Sequence, residues 1–331
     1  MISRRTFNRV IYSLVTLWAA ITITFVVLNS LPIDPVDVWA REYVIQYGYT
    51  YEDAYDMVKA MYPYKLESPM WVRYFEYIGN LFRGNLGYSM AFLCPVNEIV
   101  VKCLPWTLFV LSFAITISFA VGCLLGMLAA WKRRGFLDAA LIGYASFTHA
   151  TPNFLVAILL FIFLAARYRL FPLGGAYDPS LKPGFNVAFI GSVLYHAALP
   201  ILSYVIEHIG AWILLMRGSA ISVLEEDYVR AAVARGLKDK RIMTAYVGRN
   251  AILAPLALLA ITFGYMIGGS TLVETVFRYP GIGYFFAEAV SKADYGLMQG
   301  LFFLLISAVI MANLVVELIY PILDPRVREE G

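Results

Sequence analysis

The sequence predicts an all-α integral membrane protein of about six transmembrane helices, with a large external insertion after the first and a cytoplasmic loop between the fourth and fifth. Three observations carry that prediction. Hydrophobic residues make up 60% of the 331 residues and charged residues only 15%, a balance suited to lipid rather than water. Six apolar stretches reach or approach the ~20 residues needed to cross roughly 30 Å of hydrocarbon. The charged residues collect in the segments between these stretches, with opposite biases on alternate segments.

The apolar stretches are residues 10–31, 106–131, 137–166, 195–216, 252–273 and 301–323. The first is too long for the core of a cleaved signal and runs into Leu31-Pro32 where small residues would be needed, so it reads as a retained anchor. The organisation that follows has four parts. Residues 1–31 are the cytoplasmic N-terminus and first span, and residues 32–103 an external segment. Residues 104–323 form the transmembrane domain, with the cytoplasmic loop 217–250 inside it, and residues 324–331 are a cytoplasmic tail.

Orientation follows from lysine and arginine, which are retained on the cytoplasmic side during insertion. Arg4, Arg5 and Arg9, the run Lys132-Arg133-Arg134, the seven bases of 217–249 and the tail residues Arg326 and Arg328 then fall on one side. Both termini are expected in the cytoplasm. The opposite side receives the acidic 32–103 segment and a loop of turn-forming residues at 174–185. The external segment is too long to be a bare connection, so structure of its own is expected there. Its ten tyrosines, Tyr43, Tyr47, Tyr49, Tyr51, Tyr55, Tyr62, Tyr64, Tyr74, Tyr77 and Tyr88, fit a membrane-interface belt or a contact surface for an external partner.

A net charge of +3 with no dense basic tract argues against nucleic acid as a partner. Gly-x-x-x-x-Gly-Lys-Ser/Thr is absent, so nucleotide binding belongs to another chain; Gly84-Asn-Leu-Gly-Tyr-Ser is a turn rather than a phosphate loop. Neither His-Glu-x-x-His nor Gly-x-Ser-x-Gly occurs, which leaves no protease signature. His149, His196 and His208 are scattered and read as hydrogen-bonded packing residues, and no metal or cofactor is expected on this chain. Cys94 and Cys103 could pair only in an oxidising compartment.

The segment 217–250 has the clearest local design. Glu225, Glu226 and Asp227 precede a helix-forming stretch, where negative charge suits the positive end of the helix dipole. Gly236 stops that helix. Asp239 is expected to cap a second short helix through Gly248, with Ile242, Met243, Tyr246 and Val247 as its apolar contacts.

Asp227-Tyr228, Arg230, Ala231-Ala232, Gly236-Leu237 and Arg249-Asn250-Ala251 make this segment similar to the cytoplasmic loop of ABC importer permeases, specifically the binding-protein-dependent peptide and nickel branch. Further landmarks at similar spacing are Asp34-Pro35, Pro69-Met-Trp71, Gly84-Asn-Leu-Gly87, Glu274-Thr275, Pro280-Gly281-Ile-Gly283, Asp294-Tyr295 and Asp324-Pro325-Arg326. Ile33, Gly296 and the position of Pro255 depart from the pattern, which puts local turns and the start of the fifth span in question. The resemblance implies that Asp227, Tyr228, Arg230, Ala231, Ala232, Gly236, Arg249 and Asn250 couple the permease to an ATPase. It also implies a second homologous permease, ATPase subunits carrying ATP and magnesium, an external substrate-binding protein, and a cargo of di- or oligopeptides, oligosaccharides or nickel.

Glu207-His208 stands in the middle of the fourth apolar stretch, where an ionisable pair is costly unless it faces a cavity or a partner. It fits either the translocation path or a structural pair. Glu274, Pro280 and Gly281 fit an outer gate or a plain turn. Two rival readings of the whole chain are a proton-driven carrier using Glu207 and Asp294, and a membrane scaffold.

Overall fold

A computed structural model describes residues 4–31, 34–61 and 68–323. Pro32-Ile33, Tyr62, Tyr64, Glu67 and the tail with Asp324-Pro325-Arg326 and Arg328 lie outside the described residues. Among those described, five helices are long and apolar enough to cross a membrane, or six when one bent pair is counted as a span. The all-α class therefore holds, with a single small hairpin as the only strands described.

The first span is α1 (Arg4–Asn29), and three helices follow before the second: α2 (Pro35–Tyr47), α3 (Tyr51–Met61) and α4 (Met70–Phe82). Asp34 caps α2 by accepting from the Val36 N–H at 2.9 Å, and Pro35 pre-sets its first turn. Two of the tyrosines hold α3 against α2: Tyr51 donates to Asp37 at 2.5 Å and Tyr55 to Asp34 at 3.2 Å. The Tyr51 hydroxyl, and after it Arg41, holds the Asp37 carboxyl below its ordinary pKa. The antiparallel pair β1 (Tyr88–Ser89) and β2 (Cys94–Pro95) then feeds α5 (Val96–Trp131). Cys94 and Cys103 are free thiols, so the possible disulfide is not formed.

The long helices α5 and α8 (Val187–Leu224) form the spine of the bundle. They approach through glycine. A Cβ on Gly126 would come to 2.6 Å from the Ile213 carbonyl and 2.9 Å from Met216 Cβ, and one on Gly122 would strike Trp212. Two glycines four residues apart let helix backbones close to van der Waals contact, the main source of association where lipid removes the hydrophobic drive.

The predicted third span, 137–166, is not straight. It is broken into α6 (Phe136–Ala150) and α7 (Asn153–Leu160, continued by a π-helical turn Phe161–Arg167), which meet at 95°. The cause is Pro152: it lacks an N–H and drives Thr151 out of the helical region to φ −96°, ψ 118°.

Beyond α8 come α9 (Asp227–Ala234), α10 (Asp239–Arg241), a π-helical segment Ile242–Gly248, α11 (Arg249–Ala251) and α12 (Leu253–Gly269). The last four run together as one apolar helical stretch, Asp239–Gly269. Two expectations are corrected here. Gly248 does not end a helix, because it sits at φ −61° inside the stretch, where a Cβ would press on Met127 at 2.9 Å. Asp239 does not cap; it begins the helix, and Lys238 holds the cap position without a side-chain bond. The chain closes with α13 (Thr271–Val276), α14 (Ile282–Ser291) and α15 (Tyr295–Leu323).

Gly126→Ala should lower the thermal midpoint of the detergent-solubilised protein by the equivalent of about 1–3 kcal/mol, although alanine is the better helix former. Gly218→Ala, on the same spine with open space around it, should leave the midpoint unchanged or raise it. Equal behaviour of the two variants would contradict the close approach.

Candidate coupling site and its connections through the bundle

Helix α9 is short, and its two faces differ. Val229 and Ala232 are buried, while Asp227, Tyr228, Arg230, Ala231 and Val233 are exposed. The buried pair joins Cys123 and Ala130 of α5, Met216 and Ala220 of α8, and Ile242, Met243, Val247 and Ala251 in one apolar cluster. The projecting helix thus packs on the Ile242–Gly248 segment and on the end of α8, and that segment links it to α5. It stops at Gly236, whose φ of +73° suits glycine, and the N–H groups of Gly236 and Leu237 return to Val233 and Ala232.

Asn250 ties the return path to this helix. Its side-chain nitrogen donates to the Tyr228 hydroxyl at 3.0 Å and to the Tyr246 carbonyl at 2.8 Å. Six of the eight sequence-predicted coupling residues lie in α9 or at its Gly236 stop, and Asn250 joins them through Tyr228. Arg249 is exposed on α11, next to Asn250. Arg230 reaches Asp227 at 3.6 Å, an exposed contact that contributes little.

A stronger ion pair stands at the same end of the bundle. Arg217 of α8 grips Asp138 of α6 in a bidentate pair, Nε to Oδ1 at 2.6 Å and Nη2 to Oδ2 at 2.9 Å, and the Arg134 N–H adds a third bond at 3.0 Å. Asp138 is buried. The fork geometry and burial make this pair much stronger than the surface contacts nearby. Sequence reasoning missed it, although an aspartate at the head of an apolar stretch and an arginine at the foot of another were visible signals.

The opposite end of the bundle is held by two buried carboxylates. Glu274 accepts from Thr107 of α5 at 2.8 Å through one oxygen, and from the N–H groups of Gly283 and Tyr284 at 2.7 and 3.2 Å through the other. Thr107 in turn accepts from the Ile282 N–H at 2.8 Å. These bonds satisfy the free N–H groups at the start of α14. Pro280 stands at the centre of a three-residue turn closed by the Gly281 N–H on the Tyr279 carbonyl at 2.7 Å. Gly281 leaves no room for a Cβ, which would meet Glu274 and Thr107. Asp294 likewise accepts from Ser89 at 2.6 Å and the Ala91 N–H at 2.9 Å, and caps α15 through Leu297. The hairpin is thereby pinned to the last span.

Glu207 and His208 lie half-buried midway along α8. Glu207 contacts His208 Nδ1, which also faces the Tyr204 carbonyl at 3.1 Å. They are brought together with neither the α9 site nor the Glu274 clasp. His196 bonds the Ser192 carbonyl at 2.8 Å.

The described residues thus form a bundle of membrane-length helices with one short helix projecting from its end. Residues 122–329 match the family described as binding-protein-dependent transport system inner membrane component, and the chain belongs to that family. It is the permease subunit of an ABC importer. It is 30% identical to the dipeptide transport system permease protein DppB of Escherichia coli K12 over 325 residues, covering 93% of this chain and 94% of that one. It is 32% identical to a probable peptide ABC transporter permease of Sinorhizobium fredii, over 80% of this chain and 82% of the relative. Identity to the oligopeptide transport system permease protein AppB of Bacillus subtilis is 26%, over 97% and 98%.

Asp138→Ala would leave the Arg217 guanidinium without its partner. Because Arg217 keeps 23% of its side-chain surface exposed, the loss should fall near the low end for a broken buried pair, about 3 kcal/mol in a reversible unfolding assay. Arg133→Ala, which removes only the exposed 3.8 Å contact to Glu225, should cost at most about 1 kcal/mol. Indistinguishable losses would deny Asp138 its clamping role.

Proposed function

We propose that this chain is one of two permeases in an ATP-driven importer that takes di- or oligopeptides from an external binding protein, and that the segment 227–250 is its contact with the ATPase. One observation carries the coupling assignment: α9 exposes Ala231, Val233, Tyr228 and Arg230 while Val229 and Ala232 join it to an apolar cluster that includes residues of both spine helices. A partner pressing on α9 therefore presses on α8 directly and on α5 through the Ile242–Gly248 segment. The names of the three relatives given above, a probable peptide, a dipeptide and an oligopeptide permease protein, support the cargo. The basic loops and tail support an orientation with α9 and both termini in the cytoplasm.

In this reading the ATPase partners bind ATP and magnesium and perform hydrolysis. The permease supplies no reactive group; its share is mechanical. Closure of the ATPases displaces α9, and the apolar cluster beneath it, with the Asp138–Arg217 clamp alongside, carries the displacement into the spans as a rigid lever. Glu207 and His208, at mid-depth in α8, are assigned to the translocation path, where an ionisable pair facing water and a polar cargo is tolerated.

Val233→Asp alters an exposed side chain and should spare insertion and thermal stability. It should lower peptide uptake by proteoliposomes at least tenfold and weaken co-purification with the ATPases. Normal uptake by that variant would reject the α9 contact. In the same assay Glu207→Gln should slow uptake while assembly stays intact, and wild-type rates would remove Glu207 from the path.

A further inference from the structure

Helix α4 leaves one face uncovered that nothing in the coupling function uses. Trp71, Phe75 and Phe82 are exposed by 66%, 67% and 90%, at spacings of four and seven residues that place them on one stripe of the helix. Three large aromatics in a row are unlike a solvated surface.

The other side of α4 is fastened to α1. The Tyr74 and Thr22 hydroxyls share a hydrogen bond at 2.7 Å, Phe25 meets Tyr74 edge-on with ring centres 5.4 Å apart, and it stacks with Tyr77 at 5.5 Å. Thr22 and Phe25 belong to the first span, Asn8–Asn29, and lie seven and four residues short of its end. At 1.5 Å per residue, the anchor points are about 10 Å and 6 Å inside the helix end. Helix α4 is thus attached at the depth of one leaflet, beside an α1 that exposes Trp18, Ile23, Val26 and Val27 on its own lipid-facing surface.

We propose that α4 is an interfacial helix, with Trp71, Phe75 and Phe82 set among the lipid chains of the leaflet that holds the Asn29 end of α1. A lipid surface fits better than a soluble protein partner for two reasons. The attachment point lies inside the span rather than above it, and the α1 segment to which α4 is fastened also leaves large apolar side chains exposed. Tryptophan and phenylalanine on one face, with Glu76 turned to water, is the pattern of a helix lying in the membrane plane. By this means the α2–α3 hairpin and the segment around it are held down on the bilayer rather than riding free above it.

The test uses the assembled transporter in vesicles of phosphatidylcholine and phosphatidylglycerol, with the native cysteines replaced and a nitroxide placed in turn at Trp71→Cys, Phe75→Cys, Glu76→Cys and Ile45→Cys. All four positions are exposed, so no packed side chain is lost. Collision rates with oxygen and with a water-soluble nickel chelate report depth. The labels at 71 and 75 should favour oxygen several-fold over the chelate, while those at 76 and 45 favour the chelate. Equal access of the chelate to 71, 75 and 76 would overturn the proposal. So would protection of 71 and 75 that arises only when the binding protein is added, which would assign the stripe to that protein.

Discussion

The rest of the structure depends on how closely α5 and α8 approach. Gly122 and Gly126 give up their side chains so that the two longest helices meet backbone to backbone. In a bilayer this contact carries more weight than it would in water, because lipid chains solvate leucine as well as protein does and only packing and polar bonds favour association. Three elements of the proposed mechanism and its frame attach to this pair. The α9 helix packs on the end of α8 and reaches α5 through the Ile242–Gly248 segment, α6 packs on Gly210 of α8 through Ala145 and Thr148, and Glu274 of α13 is bonded to Thr107 of α5.

Polar clasps at the two ends complete the frame. At one end the Asp138–Arg217 pair joins α6 to α8; at the other, Glu274 and Asp294 each replace missing backbone partners at a helix start while reaching a distant element. Each of these acids is buried, with its oxygens engaged. A carboxylate removed from water is tolerable only on those terms, and satisfied in this way it fixes geometry more sharply than apolar contact can. The short turn around Pro280 follows from the clasp: Gly281 must be bare for the Glu274 carboxylate to pass.

Hydropathy made the spans legible, and Gly236 between two helix-forming stretches made the helix and corner of 217–250 legible, because both signals are local. The failures share another origin. Pro152 was visible inside the third apolar stretch, but a count of apolar residues ignores the missing N–H, so the stretch read as one span without its 95° break. Asp239 looked like a cap and Gly248 like a stop because those residue types favour helix ends; in the fold, packing against Met127 explains the glycine instead. The pairs Asp138–Arg217 and Thr107–Glu274 join residues 79 and 167 positions apart; the charged residues at the ends of apolar stretches were visible, but a local pattern does not say which of them meet. Gly122-x-x-x-Gly126 was a readable signal of helix approach that the hydropathy profile concealed.

The proposed mechanism treats α9 and the spine as one body, so that work delivered at the α9 surface arrives undiminished in the spans. The most direct measurement is a spin-label distance within this chain, from Val233→Cys on α9 to Leu124→Cys on the outer face of α5, in the assembled transporter without nucleotide and with ATP trapped. The account predicts the same distance in both states, because α9 and the spine are displaced together when the ATPases close. A change on the scale of a helical turn, about 5 Å, would show that α9 swings independently of the spine and would contradict the lever.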